Sequence, residues 1–150
     1  MRVVIQRVAE ASVEVEGKTV ASIGPGILVL AAFKTGDSEA ELDWMAKKCL
    51  ELRIFKDENG KMNRSVLDER GEILIVSQFT LYGNCRKGRR PAYTNSASAD
   101  EANRLYRKFI EVMSTYYPRI SEGVFGALMK VKLVNDGPVT LIIDREVEGL

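Results

Sequence analysis

The chain has 150 residues, 45% of them hydrophobic, enough to bury a core without disulfides or a structural metal. Its 22 basic and 21 acidic residues nearly cancel, so no whole-molecule field draws it to nucleic acid or membrane, and any such binding needs a local patch. It contains no histidine, which excludes Ser-His-Asp and Cys-His activation of a nucleophile and every histidine-bearing zinc site.

From the amino terminus, "RVVIQRV", "ASVEVEG" and "KTVASIG" alternate at period two and predict strands, with Glu16 and Gly17 suited to a tight hairpin turn. The first segment lacks a signal peptide's long apolar core, and the longest apolar run, residues 27–33, is too short to span a bilayer; the expectation is a soluble, cytoplasmic protein. "GILVLAAF" predicts a buried strand. A helix follows, opened by the capping pair Ser38 and Glu41 and carrying Leu42, Met45, Ala46, Cys49 and Leu50 at helical spacing. Cys49 is thereby a core residue, and with Cys85 far away it forms no metal-ligand or redox motif, as suits a reducing compartment.

Next come "RIF", the turn "KDENGK" and "SVLDERG", then a strand "EILIVSQFTLY" and a basic, polar loop "GNCRKGRRPAYTNSAS". Ser98 and Glu101 open a second helix, whose stripe of Leu105, Phe109, Val112, Met113 and Tyr116 runs until Pro118. Two final strands, "GALMKVKLV" and "VTLIIDREV", flank Gly137 and Pro138. No repeat or linker divides the chain. The expectation is one domain over residues 1–150, of α+β class: a curled or barrel-like, largely antiparallel sheet with two main helices packed against it.

Three features could carry chemistry. Arg86, Lys87, Arg89 and Arg90 place four cations in five residues, with Tyr82 and Tyr93 nearby; the pattern suits phosphate contact or, equally, a solvated loop. Ser77, Gln78 and Thr80 put hydroxyl and amide groups at the end of an apolar strand, where they serve either as site residues or as ordinary strand residues. At period two Ser77 and Gln78 face opposite ways, so these groups converge only if the strand bulges or ends there. Gly137-Pro138 reads most simply as a turn between antiparallel strands, the alternative being a cis peptide.

Taken together, "MRVVIQRV", "SQFTLYG" and "NDGPVT", in this order and spacing, make the sequence resemble the D-aminoacyl-tRNA deacylases along essentially its whole length. The resemblance implies a homodimer with active sites at the subunit interface, where Ser77, Gln78, Phe79 and Thr80 of one chain face Gly137 and Pro138 of the other. It implies a cis bond at Gly137-Pro138 whose carbonyls hold the substrate's α-amino group and exclude the L-configuration. The implied substrate is D-aminoacyl-tRNA, with glycyl-tRNA also accepted because glycine has no Cβ; residues 86–90 would contact the tRNA. No cofactor, metal or membrane is implied.

An ester is more labile than an amide, so the absence of histidine is tolerable. Amides around Phe79 and Thr80 could stabilise the oxyanion, worth about 3–4 kcal/mol for one good donor. Thr80 has no adjacent base, which favours attack by water, assisted by a ribose hydroxyl of the substrate as the resemblance suggests, with Ser77 and Gln78 positioning the terminal adenosine; covalent attack by Thr80 is the alternative. Two rival functions stand beside this one: a sister deacylase editing an L-alanyl mischarge, expected to depart from Ser-Gln-Phe-Thr, and a non-catalytic RNA-binding module using the basic loop.

Overall fold

The computed structural model describes residues 1–146. Val147, the last residue of the expected final strand, lies outside them. Eight strands and two long helices follow one another as β1 (Arg2–Val15), β2 (Lys18–Ile23), β3 (Gly26–Ala32), α1 (Glu39–Glu51), β4 (Phe55–Lys56), β5 (Met62–Arg64), β6 (Glu72–Ser77), α2 (Ala99–Tyr116), β7 (Ile120–Glu122) and β8 (Lys130–Asp144). The α+β class and the curled sheet expected from sequence are both present.

The two amino-terminal segments form a single 14-residue strand. β1 pairs antiparallel with β2 through its second half, with β3 through its first, and with β8 along its other edge. Register breaks against β8 on either side of Val8 let β1 change faces: Val3 and Ile5 join the core under the helices, whereas Val8, Ala11 and Val13 join the core inside the curl. A strand that exchanges faces keeps both of its ends apolar without keeping one period, which is why the sequence reads as two strands. Glu16 and Gly17 form the hairpin turn, with φ of 50° and 77°, the positive values that a two-residue hairpin turn requires.

β3 and β6 read as unbroken apolar runs because both of their faces are buried. Ile27, Val29, Ile73 and Ile75 face the helices; Leu28, Leu74 and Val76 face the inside of the curl. They pair in parallel, as do β6 and β7, so two of the five pairings in this sheet run parallel within a mainly antiparallel whole. β7 is too short to leave a pattern in the sequence.

Both helices begin as their capping pairs predict. The Glu41 carboxylate accepts from the Ser38 amide at 2.7 Å and hydroxyl at 2.5 Å, and the Ser98 hydroxyl accepts from the Glu101 amide at 3.3 Å. Tyr106, Phe109 and Met113 of α2 are fully buried against the sheet, with Leu42, Met45 and Cys49 of α1. Burial pushes the Cys49 thiol up to about 12, so it is a core hydrophobe in practice. No helix among the described residues is long and apolar enough to cross a membrane.

Candidate active site

β6 was expected to run on through Tyr82, and it does not. Its ladder with β3 ends at the Ala31–Ser77 pair, and the Gln78 amide makes the last bond to the Ala31 carbonyl at 2.8 Å. Because β3 itself stops at Ala32, the chain has no partner to follow and winds into a 3₁₀ turn over Phe79–Tyr82. Bonds from the Leu81 amide to the Gln78 carbonyl (3.2 Å) and from the Gly83 amide to the Thr80 carbonyl (2.9 Å) close it. The leading amides of such a turn, here Phe79 and Thr80, have no carbonyl behind them and are left to other partners.

This turn is fixed at its far end. Tyr82 is buried, with the Arg2 guanidinium 5.1 Å from its ring centre, and Arg2 also donates to the Leu81 carbonyl at 2.9 Å and pairs with Asp144 at 2.7 Å. Burial first, then the carboxylates of Asp37, Glu146 and Asp144, raise the Tyr82 phenol far above its ordinary range, so it stays neutral. The Thr80 hydroxyl accepts from the Gln78 amide group at 2.5 Å.

A cavity of about 650 Å³ opens beside the turn, lined by Ser77, Gln78 and Phe79, by Tyr93 and Ser96 of the following loop, and by residues 125–129 before β8. Among the described residues its wall carries no carboxylate, lysine or arginine, and the Tyr93 phenol is the one ionisable group lining it. What it offers a substrate is apolar surface, hydroxyls and amides. Phe79 is 54% exposed and stacks edge-to-face on Tyr93, ring centres 5.1 Å apart.

Gly137 and Pro138 are not a turn between two strands. They sit inside one 15-residue strand, β8, whose residues 136–139 bulge out of the ladder opposite the single residue Arg7. The peptide bond between them is cis. Arg7 is only 6% exposed and holds the bulge: its Nε donates to the Asp136 carbonyl at 2.8 Å and its Nη1 to the Ile54 carbonyl at 2.6 Å. Asn135 braces the other side, accepting from the Val139 amide at 2.8 Å and donating to the Thr140 hydroxyl at 2.8 Å. Gly137 has φ 141°, and a Cβ there would stand 2.8 Å from Arg7 Nη2.

The basic loop is a finger. Paired amide–carbonyl bonds between Asn84 and Ala92, at 2.7 and 3.0 Å, close its base, and Arg86, Lys87, Arg89 and Arg90 are all exposed beyond it. Its base continues directly into Tyr93, and so into the cavity wall. The structure thus brings Ser77, Gln78 and Phe79 to one cavity, with Thr80 beside them on the turn. Gly137 and Pro138 are not among the residues lining that cavity, and neither are the four cations. Sequence reasoning missed Arg7, which was detectable: after Val3 and Ile5, a charged residue at the next inward position of an alternating strand needs a buried partner. It also missed residues 125–129: the expected strand "GALMKVKLV" starts at Gly126, whereas β8 starts at Lys130 and the residues before it are irregular and free to line the cavity.

Fold and site together define a small α+β protein that presents backbone amides and hydroxyls, rather than acids and bases, beside an apolar cavity. The family model described as D-Tyr-tRNA(Tyr) deacylase matches residues 4–144, and the chain belongs to this family. It is 57% identical over 146 residues to the D-aminoacyl-tRNA deacylase of Thermosipho africanus, covering 97% of this chain and 98% of that one. To that of Dechloromonas aromatica it is 53% identical over 148 residues, covering 98% and 99%. Among solved structures, the c-Myc DNA Unwinding Element Binding Protein superposes with a TM-score of 0.93 at 41% identity, over 98% of this chain and 100% of the other. A probable eukaryotic D-amino acid tRNA deacylase shares the fold, with a TM-score of 0.86 at 20% identity over 96% and 98%.

Proposed function

We propose that this protein hydrolyses the ester bond of D-aminoacyl-tRNA, releasing free tRNA and the D-amino acid. The observation that carries the reading is the 3₁₀ turn at the end of β6, which sets Ser77, Gln78 and Phe79 on the rim of a cavity without acids or bases. Such a site suits a labile ester. Water attacks the ester carbonyl, the amides of Phe79 and Thr80 receive the developing oxyanion, and the carbon–oxygen bond to the ribose breaks as the departing oxygen takes up a proton. A neighbouring ribose hydroxyl of the substrate assists, and Ser77 and Gln78 position the terminal adenosine. The Thr80 hydroxyl, already bonded to Gln78 and lacking a base, is not the nucleophile.

A second copy of the chain completes the site. Among the described residues the 15-residue strand β8 is paired on one edge only, and Ile142, Val134 and Leu141 are exposed on it at 69%, 49% and 38%. An unpaired edge that exposes apolar side chains needs a cover. Pairing of two copies through this region would carry Gly137 and Pro138 of each to the cavity of the other, where backbone carbonyls read the configuration at Cα and leave the side chain unread. Many D-amino acids, and glycine, then pass; L-amino acids do not. The exposed finger with Arg86, Lys87, Arg89 and Arg90 contacts the acceptor stem. Aqueous, cytoplasmic work fits this substrate.

The name of the c-Myc DNA Unwinding Element Binding Protein, together with the basic finger, favours one second reading, a non-catalytic nucleic-acid binder. Incubation with D-tyrosyl- and L-tyrosyl-tRNA, with and without EDTA, separates the two. The enzyme reading expects release of D-tyrosine alone, undiminished by EDTA. Binding of both tRNAs without hydrolysis refutes it.

A further inference from the structure

At the carboxyl end of α1, sharing no lining residue with the cavity, lies a hollow of about 470 Å³ lined by Trp44, Lys47, Lys48, Glu51, Leu52 and Arg53. The Trp44 ring is flanked by two cations, Lys48 Nζ at 5.1 Å and Arg145 Cζ at 5.0 Å from its centre. Of the lining cations, Lys47 is paired with Asp43 at 3.1 Å, whereas Arg53, whose charge also acts on the Asp68 carboxylate, donates to the neutral amide oxygen of Asn63 at 3.4 Å, and the Lys48 ammonium stands over the ring. Glu51 is the one carboxylate in the wall among the described residues. An aromatic face bordered by cations is the combination that nucleic-acid grooves use, charge for the phosphates and a ring for the sugar or base.

We infer that this hollow is a second contact for the RNA substrate, receiving backbone phosphates of its stem on Lys48 and Arg53 against Trp44. This rests on the proposed tRNA substrate. Its position supports it. Arg53 immediately precedes Ile54, whose carbonyl takes Arg7 Nη1 at 2.6 Å, and Arg7 in turn holds the Asp136 carbonyl beside Gly137. On its other side, Arg145 follows Asp144, which pairs with Arg2, and Arg2 holds the Leu81 carbonyl of the 3₁₀ turn. Along the chain, the residues of the hollow are thus next to the supports of both motifs. The basic finger and this hollow would grip one RNA at two places, which fixes its direction as a single patch cannot.

Trp44 is the chain's one tryptophan, so its fluorescence reports this hollow alone. The test titrates the full-length protein with unacylated tRNA transcript while the anisotropy of labelled tRNA measures total binding independently. Saturable quenching of Trp44 that tracks the anisotropy is expected. In the double variant Lys48→Ala with Arg53→Ala, the slope of log K against log salt should fall by about two and affinity near 0.1 M salt by roughly ten-fold or more. A circular dichroism melt establishes that the variant is folded, and the single variants Lys48→Gln and Arg53→Gln, each expected to lower the slope by about one, replace it if it is not. Full anisotropy change with unaltered Trp44 emission and an unaltered salt slope overturns the inference. So does quenching by a DNA duplex but not by tRNA. Because the tRNA carries no amino acid, these outcomes are independent of hydrolysis: failure to cleave any D-aminoacyl ester would refute the proposed activity while leaving this contact measurable.

Discussion

Arg7 offers the sharpest test of how the Gly137-Pro138 bulge is held. Its guanidinium reaches two carbonyls on different elements, Asp136 on β8 and Ile54 ahead of β4, at 2.8 and 2.6 Å. Lysine keeps the charge but has one point-like ammonium in place of a fork, so Arg7→Lys can serve one carbonyl and must abandon the other. A hydrogen bond to a charged donor contributes about 1.5–3 kcal/mol. Lost from the global stability of a chain this size, that is a fall in Tm of roughly 3–12 °C. If the bond to Asp136 is the one lost, the same energy expressed in the bulge reduces the correctly placed population roughly ten- to hundred-fold.

The assay measures hydrolysis of D- and L-tyrosyl-tRNA well below the variant's Tm, alongside its thermal melt. A lowered Tm with a ten- to hundred-fold slower D-ester reaction, or with new L-ester cleavage, is expected. A lowered Tm with wild-type rate and selectivity would show that Arg7 only stabilises the fold, and would remove the argument that it positions the bulge.

Other substitutions probe separate parts. Gly137→Ala, which forces a Cβ at φ 141° to within 2.8 Å of Arg7 Nη2 and 3.0 Å of the Val139 side chain, should cost about 1–3 kcal/mol locally and abolish most D-ester hydrolysis in a folded protein; unchanged kinetics would mean the bulge is not part of the site. Arg89→Ala with Arg90→Ala should weaken tRNA binding and lower its salt slope by about two, leaving the rate at saturating substrate nearly intact, and an unchanged slope would make the finger mere solvated surface. With water as the proposed nucleophile, Thr80→Ala should keep the D-ester reaction within about ten-fold, whereas a loss of the order of a millionfold, the scale seen when a true nucleophile is deleted, would restore the covalent mechanism. A thiol reagent at pH 8 should modify the exposed Cys85 and spare Cys49, buried with its thiol near 12, so two reactive thiols in the native protein would contradict the buried position of α1.

Elements whose boundaries are set by local chemistry were legible in the sequence. Ser38 with Glu41 and Ser98 with Glu101 mark where both helices begin, and Glu16 with Gly17 marks the hairpin, because capping and turn conformations depend on the residues that adopt them. Endings set by a neighbour were not. β6 stops at Ser77 because β3 has no more edge to offer, a fact about Ala32 that nothing in "IVSQFTLY" records. Gly137-Pro138 looks like a chain reversal locally, yet β8 runs straight through it because β1 supplies pairing on both sides of the interruption. The motifs that carry the family resemblance were visible as text, while the groups that aim them, Arg2 and Arg7, lie more than 70 residues away along the chain.

Those two arginines give the arrangement its logic. A site that relies on main-chain amides and carbonyls cannot be tuned by choosing a side chain with a better pKa; its only adjustable property is where the backbone lies. Both pieces of backbone proposed for the site depart from regular pairing, one where β6 ends and one where β8 bulges, so neither is held by a ladder. Each is instead held by a guanidinium from β1, Arg2 for the 3₁₀ turn and Arg7 for the bulge. β1 is the strand best suited to the task, since it pairs with β2, β3 and β8 at once and is the least free to move. A shift of β1 relative to the sheet would displace both motifs together, which ties the stability of the scaffold directly to the geometry of the proposed site.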